Sequence, residues 1–218
     1  MELAFYPIGM TNDYLKCFGV EQEKFLDLRA LIDGEARKVD YISTNYGKAL
    51  NAISMGIDED MIGTINRLRN WKVLSNLLPY MLGMLRSFMR LKPQKYVLEI
   101  DGIKMKVGAS EIAVGKGCFL AGKIRFAKQS KLENGMANYA ITTAKSKLKF
   151  GRLLYDVTHE RMDKVFSKLL YGNCKKITIR RVDQKAFQAS FDGELVTIND
   201  TLEVTTVPKT INFVIPSI

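Results

Sequence analysis

Tyr96-Val97-Leu98-Glu99-Ile100-Asp101-Gly102-Ile103-Lys104-Met105-Lys106-Val107 reads as a β-hairpin. Alternation on both sides of Asp101-Gly102 puts one set of side chains on one strand face. Asp-Gly supplies the left-handed backbone that a two-residue turn needs. Working outward from this hairpin, the same period predicts strands over 37–43, 48–54, 111–114 and 137–142. The end of the chain adds 176–182, 186–191, 195–198, 202–206 and 211–215. Thr44-Asn45-Tyr46-Gly47 is a hairpin turn between the first two. Many short strands separated by turn residues predict a β-sandwich or barrel. Helical spacing interrupts them at 23–32, at about 60–90 and at 150–170.

The chain has 218 residues, 47% hydrophobic and 26% charged, enough to fill a real core. Its formal charge of +10 favours an anionic partner. Cys17, Cys118 and Cys174 lie far apart without a C-x-x-C pair, which excludes a disulfide framework and a cysteine zinc site. His159 is the one histidine, so histidine-rich metal chemistry is excluded as well. The longest apolar segment, 74–89, is interrupted by Pro79 and Arg86. It falls short of the roughly 20 residues of a membrane span. Met1-Glu2-Leu3-Ala4-Phe5 lacks the charged start and apolar run of a signal peptide. The expectation is a cytoplasmic protein that can rest on a membrane. Neither a helix-turn-helix nor an aromatic-basic ribonucleoprotein motif is present, so no nucleic-acid partner is expected.

Two spots carry candidate chemistry. Residues 3–6 form an apolar run, Pro7-Ile8-Gly9 turns the chain, and Thr11-Asn12-Asp13 leads into a helical pattern. Thr11 or Asn12 is a candidate cap. Strand, glycine turn and helix start make a phosphate-binding shape. A strand at residue 3 lacks an upstream partner and reads as a fold entered partway through. Its bare edge would suit a homodimer. The second spot is Phe191-Asp192-Gly193-Glu194-Leu195. Asp-Gly is an ordinary hairpin turn, yet it also sets Asp192 and Glu194 at one strand end. Such a pair can hold a metal or take a proton from an attacking hydroxyl, and each carboxylate raises the other's pKa.

Taken in order, further segments resemble the diacylglycerol kinase catalytic-domain family, which includes bacterial lipid kinases and sphingosine kinases. Pro7 to Asp13 resembles its P-x-G-T-x-N-D stretch. Val39-Asp40 and Asn51-Ala52-Ile53-Ser54-Met55-Gly56-Ile57-Asp58 resemble its V-D and N-x-x-S-x-G-x-D strands. Leu132-Glu133-Asn134-Gly135 resembles L-D-D-G, and Asp192-Gly193-Glu194 resembles D-G-E. The closing strands also fit.

The resemblance implies an α+β fold: a β-sandwich C-terminal domain with inserted helices over 37–218, and a remnant of the α/β nucleotide-binding domain over 1–36. It implies an ATP-dependent kinase phosphorylating a hydroxyl of a diacylglycerol-type lipid at a membrane surface, in bacterial phospholipid biosynthesis, with Mg2+. The family's G-G-D-G-T motif is absent from this sequence, so the chain alone is expected to be inactive. The alternative is a non-catalytic lipid- or membrane-binding module. Gly9, Met10, Thr11 and Asn12 would face the nucleotide, and Asp40 would organise magnesium. Asp192 and Glu194 would be catalytic, one of them taking the lipid hydroxyl's proton. Lys131, Asn134 and Met136 would hold a structural metal. Met10 stands where the family has Thr, Asn134 where it has Asp, and the segment from Gly115 to Gly122 keeps only part of its glycine pattern.

Overall fold

The computed structural model describes residues 2–9, 11–56, 93–120, 122, 124–128, 131–143, 146–159 and 161–217. The helical pattern expected at about 60–90 lies outside the described residues.

In chain order the strands are β1 (Glu2–Leu3), β2 (Glu35–Thr44), β3 (Lys48–Ala49), β4 (Ala52–Gly56), β5 (Gln94–Ile100), β6 (Ile103–Ala109), β7 (Glu111–Gly115), β8 (Phe119–Leu120) and β9 (Ile124–Arg125). They continue with β10 (Ala137–Thr142), β11 (Leu169–Cys174), β12 (Lys176–Arg181), β13 (Phe187–Phe191), β14 (Glu194–Ile198) and β15 (Thr201–Ile215). One sheet runs β3-β2-β15-β12-β5-β6, with β1 also on β15; the other runs β11-β10-β7-β4-β13-β14. β8 and β9 make a small ribbon of their own.

The two sheets share one core, so the fold is a sandwich. Ile42, Leu98, Ile177 and Leu202 come from the first sheet and Ile53, Ile112, Ile141 and Ile198 from the second. The alternation read in sequence is the cause: Tyr96, Leu98 and Ile100 of β5 are buried while their neighbours are half-exposed or exposed. The second sheet is covered on its outer face as well. Ala52 of β4, Ala113 of β7 and Ala140 of β10 pack under Cys118, Phe126 and Ala127. That is why β4 buries four successive residues instead of alternating.

Five expectations change. The strand expected over 48–54 is two, β3 on the first sheet and β4 on the second. The apolar run at the start is not orphaned: Glu2 and Leu3 pair in parallel with Asn212 and Phe213. The strands expected at 202–206 and 211–215 are one strand, β15, paired with β2 through a register shift between Val207 and Ile211. Lys209 takes a left-handed φ of 49° there, and its N–H is held by Asp40, so the strand kinks without ending. The helix expected over 23–32 breaks at Asp27. A 3₁₀ helix spans Gln22–Leu26, and α1 (Leu28–Ile32) restarts because the Asp27 carboxylate accepts the N–H groups of Arg29 and Ala30. The helix expected over 150–170 is α2 (Lys147–Thr158), then α3 (Met162–Phe166), then β11, whose pairing with β10 overrides the helical spacing of Leu169 and Leu170.

Phe213 is the hub that joins residues before β2 to the sandwich. Its ring stacks on Phe18 at 4.5 Å and lies 5.5 Å from both Phe5 and Tyr14. Tyr14, Leu15, Phe25 and Leu31 share one cluster with Val39 and Phe213.

Candidate functional site

Asp192 sits in the turn between β13 and β14, with φ of 50° at Asp192 and 100° at Gly193. Its N–H reaches the Ala52 carbonyl at 3.0 Å, which docks the turn on β4. Asp192 Oδ2 accepts the Leu50 N–H at 2.6 Å. Oδ1 accepts the Asn51 and Ala52 N–H groups at 3.0 and 2.9 Å. The residue as a whole is exposed, but its carboxylate is folded down onto the backbone of residues 50–52 and largely desolvated. That burial raises its pKa above the usual carboxylate value; the three N–H bonds oppose the rise and the charge of Glu194 adds to it. A carboxylate offers about four lone-pair sites, so Oδ2, with one N–H bond, has accepting capacity left.

Beside Asp192 lies a cleft of about 470 Å³, walled by Tyr41, Ala49, Leu50, Thr210 and Ile211, with Lys48 at its edge. The β2–β3 hairpin puts Lys48 there. Thr44 Oγ1 accepts the Tyr46 and Gly47 N–H groups, which closes the turn and pairs Ser43 with Lys48. The ammonium lies 5.4 Å from the Tyr41 ring centre. The chemistry is an apolar slot with a carboxylate at one end and one cation near it.

Asn51 links Asp192 to the loop before β8. Its Nδ2 donates to the Phe119 carbonyl at 3.1 Å, and its own carbonyl accepts the Gly117 N–H at 2.9 Å. A Cβ at Gly117 would stand 1.8 Å from Asn51 Oδ1, so any larger residue there displaces the Asn51 amide. The N-terminal turn reaches the same region from the other end of the chain. Asp13 Oδ2 accepts the Gly122 N–H at 3.0 Å, and Lys16 Nζ donates to Asp13 Oδ1 at 2.7 Å and lies 5.7 Å from the Phe119 ring centre. Thr11 lies against Gly122. Thr11 and Asp13 thus meet this loop at Gly122, and Asn51, bonded to Asp192, meets it at Gly117 and Phe119. The Asp192 carboxylate bonds to the backbone of residues 50–52, and the Asn12 amide bonds to its own turn.

The turn itself differs from the phosphate cradle expected of it. Asn12, in left-handed backbone at φ 46°, donates its side-chain amide to the Gly9 carbonyl at 2.8 Å and caps no helix. The next element is a single 3₁₀ turn, Leu15–Phe18, with little dipole to offer an anion. Met10 lies outside the described residues.

Asp40 and the expected metal ligands form a different object. Asp40 and Lys116 are both fully buried and pair at 2.8 Å. Lys116 Nζ also donates to Asn134 Oδ1 at 2.8 Å and to the Met136 carbonyl at 2.6 Å. Asp40 Oδ2 accepts the Gly135 N–H at 2.7 Å and Oδ1 accepts that of Lys209 at 2.8 Å. Two of the three groups expected to hold a metal are therefore turned onto an ammonium. Lys131 lines a polar pocket with Cys17, Arg37, Glu133 and Asn134. Asp40, expected at magnesium, is closed inside the same cluster. Burial lowers the Lys116 pKa, with Asp40 opposing. Among the described residues no three His, Cys, Asp or Glu side chains gather at a metal distance. Asp192 and Glu194 alone fall short of the oxygen shell a divalent cation needs.

Sequence reading missed Lys116, Asn51, Tyr41 and Lys48. Lys116 had a signal: a charge ending the apolar run Ile112-Ala113-Val114 between two glycines. Tyr14 was missed too. Its buried hydroxyl has no hydrogen-bond partner among the described residues. Burial pushes its pKa up first, followed by the charges of Cys17, Asp192 and Asp40.

Residues 51–215 match the family model described as the YegS C-terminal NAD kinase beta sandwich-like domain. A proposed diacylglycerol kinase from Bacillus anthracis str. Sterne has a similar structure: TM-score 0.76, 19% identity, covering 98% of this chain and 68% of that one. A diacylglycerol kinase structure from the same organism is similar at TM-score 0.65 and 13% identity, covering 98% of this chain and 66% of that one. At such identities the likeness speaks for the fold alone. No curated protein sequence matches the chain.

Proposed function

Because this chain belongs to the family of the YegS C-terminal NAD kinase beta sandwich-like domain, we propose that it forms the acceptor side of a lipid kinase. The acceptor is a hydroxyl of a diacylglycerol-type lipid, and the phosphoryl donor is ATP with Mg2+. Diacylglycerol kinase structures with this fold support the reading. The observation that carries it is Asp192, a desolvated carboxylate that lines an apolar cleft.

Acyl chains fill the slot against Leu50 and Ile211. The lipid hydroxyl then meets Asp192 Oδ2. Asp192 takes the hydroxyl proton as the oxygen attacks the terminal phosphorus of ATP and the bond to ADP breaks, and its raised pKa favours holding that proton. Glu194, exposed at the start of β14, is the second candidate for that proton. Phosphoryl transfer asks the protein for alignment and charge neutralisation. Lys48 contributes one positive charge. The family's G-G-D-G-T motif is absent from this sequence, so the reading for this chain alone is lipid binding without turnover.

A second reading is a lipid-binding module without catalysis. The three N–H bonds already on Asp192 favour it. The two separate on one pair of measurements. Calorimetric titration with short-chain diacylglycerol should show binding that Ile211→Glu abolishes. No binding to the parent chain ends both readings. Incubation with radiolabelled ATP and lipid should yield no labelled product. Labelled lipid excludes the module and overturns the expectation that the chain alone is inactive.

A further inference from the structure

We propose that the outer face of α2 is a docking surface for an anionic lipid bilayer. The inward face of α2 is settled by packing: Phe150, Leu153 and Asp156 are buried. The opposite face should then be polar throughout, yet it carries two large exposed apolar groups among its polar ones. Leu148, Arg152, Tyr155 and His159 recur at the spacing of one helical stripe. Leu148 is 86% exposed and Tyr155 48% exposed. The His159 ring lies against Tyr155, with centres 4.0 Å apart, and the Arg161 guanidinium lies 5.2 Å from the Tyr155 ring centre.

Cations frame the stripe. Lys149, Arg152, Arg161, Lys164 and Lys168 are exposed on α2, α3 and the turns beside them. Asp163 is the exposed acid among the described residues of this stretch, since Asp156 is buried and paired with Lys168. An exposed leucine and a tyrosine set among lysine and arginine is the make-up of an interfacial helix. The apolar groups enter the headgroup boundary, and the cations stay with lipid phosphates. A nucleic acid would share the charge but leave Leu148 without a partner. Among the described residues no helix is long and apolar enough to cross a membrane, so the contact lies in the plane of the surface. The inference needs no phosphoryl transfer and shares with the Asp192 reading only the lipid nature of the partner.

The test is sedimentation of the intact chain with phosphatidylcholine vesicles, with and without phosphatidylglycerol. Binding should require phosphatidylglycerol and weaken with added salt. Each cation near the surface is worth about fivefold in partitioning, so Lys149→Glu with Arg152→Glu should reduce it by at least about tenfold. Leu148→Glu should also weaken it, with an unchanged thermal melt, because that side chain is 86% exposed. Equal binding by these variants and the parent overturns the proposal. So does parent binding that ignores phosphatidylglycerol, or duplex DNA that is bound while vesicles are not. None of these readouts depends on ATP, so a failed kinase assay leaves the inference standing.

Discussion

Asp192 holds three backbone N–H groups with two oxygens, and that sets the size of its effect on stability. Asp192→Ala leaves the N–H groups of Leu50, Asn51 and Ala52 without an acceptor. The turn is open enough for water to replace part of the loss, so the cost should be about 1–3 kcal/mol by urea denaturation. Asp192→Asn keeps one oxygen and should cost less. Lys116 is the opposite case, closed to water. Lys116→Met leaves the buried Asp40 charge unpaired, and breaking such a pair costs about 3–5 kcal/mol. Adding Asp40→Asn should restore part of that stability, because the stranded charge is gone. The same cluster makes a second expectation. The ammonium already satisfies Asn134 and Met136, so a chelator should leave the melting temperature of the parent chain unchanged. A clear drop would show that a metal holds this loop after all.

At the scale of elements, α2 is held by a contact with a pH signature. Asp156 pairs with Lys168, in the turn between α3 and β11. The hydrogen bond to Lys168 lowers the Asp156 pKa below its ordinary 3.8, and nearby cations add to the effect. A lowered carboxylate pKa means the folded chain binds fewer protons than the unfolded one. The stabilisation is therefore present above 3.8 and is lost as pH falls through the folded value. Hydrogen exchange of the α2 amides should speed up over that acid range before the sandwich strands lose protection. Asp156→Asn should remove the acid dependence. β15 shows a different economy. Pro208 and the left-handed Lys209 would end most strands, yet the Asp40 carboxylate receives the Lys209 N–H and the strand resumes against β2.

For the whole molecule, the segment before β2 is latched by one ring. Phe213 is fully buried and touches Phe5, Tyr14 and Phe18. Truncating such a residue costs about 3–5 kcal/mol. Phe213→Ala should also release the latch selectively. Limited proteolysis should cut the variant within residues 2–26 faster than the parent, while β5, β6 and β12 stay protected. Cleavage spread evenly over the sandwich would mean that Phe213 supports the whole core and not the latch. The position of Phe213 on β15 makes this coupling structural: β15 pairs with β2, β12 and β1.

Most strands were legible in sequence, and so was the turn that carries Asp192. Asp101-Gly102 and Asp192-Gly193 are turns with positive φ at all four residues, as their types predict. Alternation on β5 and β12 marked the buried faces. These are local properties: side-chain direction and backbone preference depend on neighbours along the chain. The break at Asp27 and the strand at 169–174 were missed because helical spacing is a weak signal over a few residues and tertiary pairing overrules it. The partners of each site residue were beyond reach for a stronger reason. Nothing near Asp40 in sequence announces Lys116, and nothing near Asp192 announces the three amides of residues 50–52. Periodicity, turn chemistry and the sandwich class followed from the amino-acid order alone. Which charges meet, and which are shut away from water, was decided only by folding, because desolvation and ion pairing depend on groups that the chain brings together from far apart.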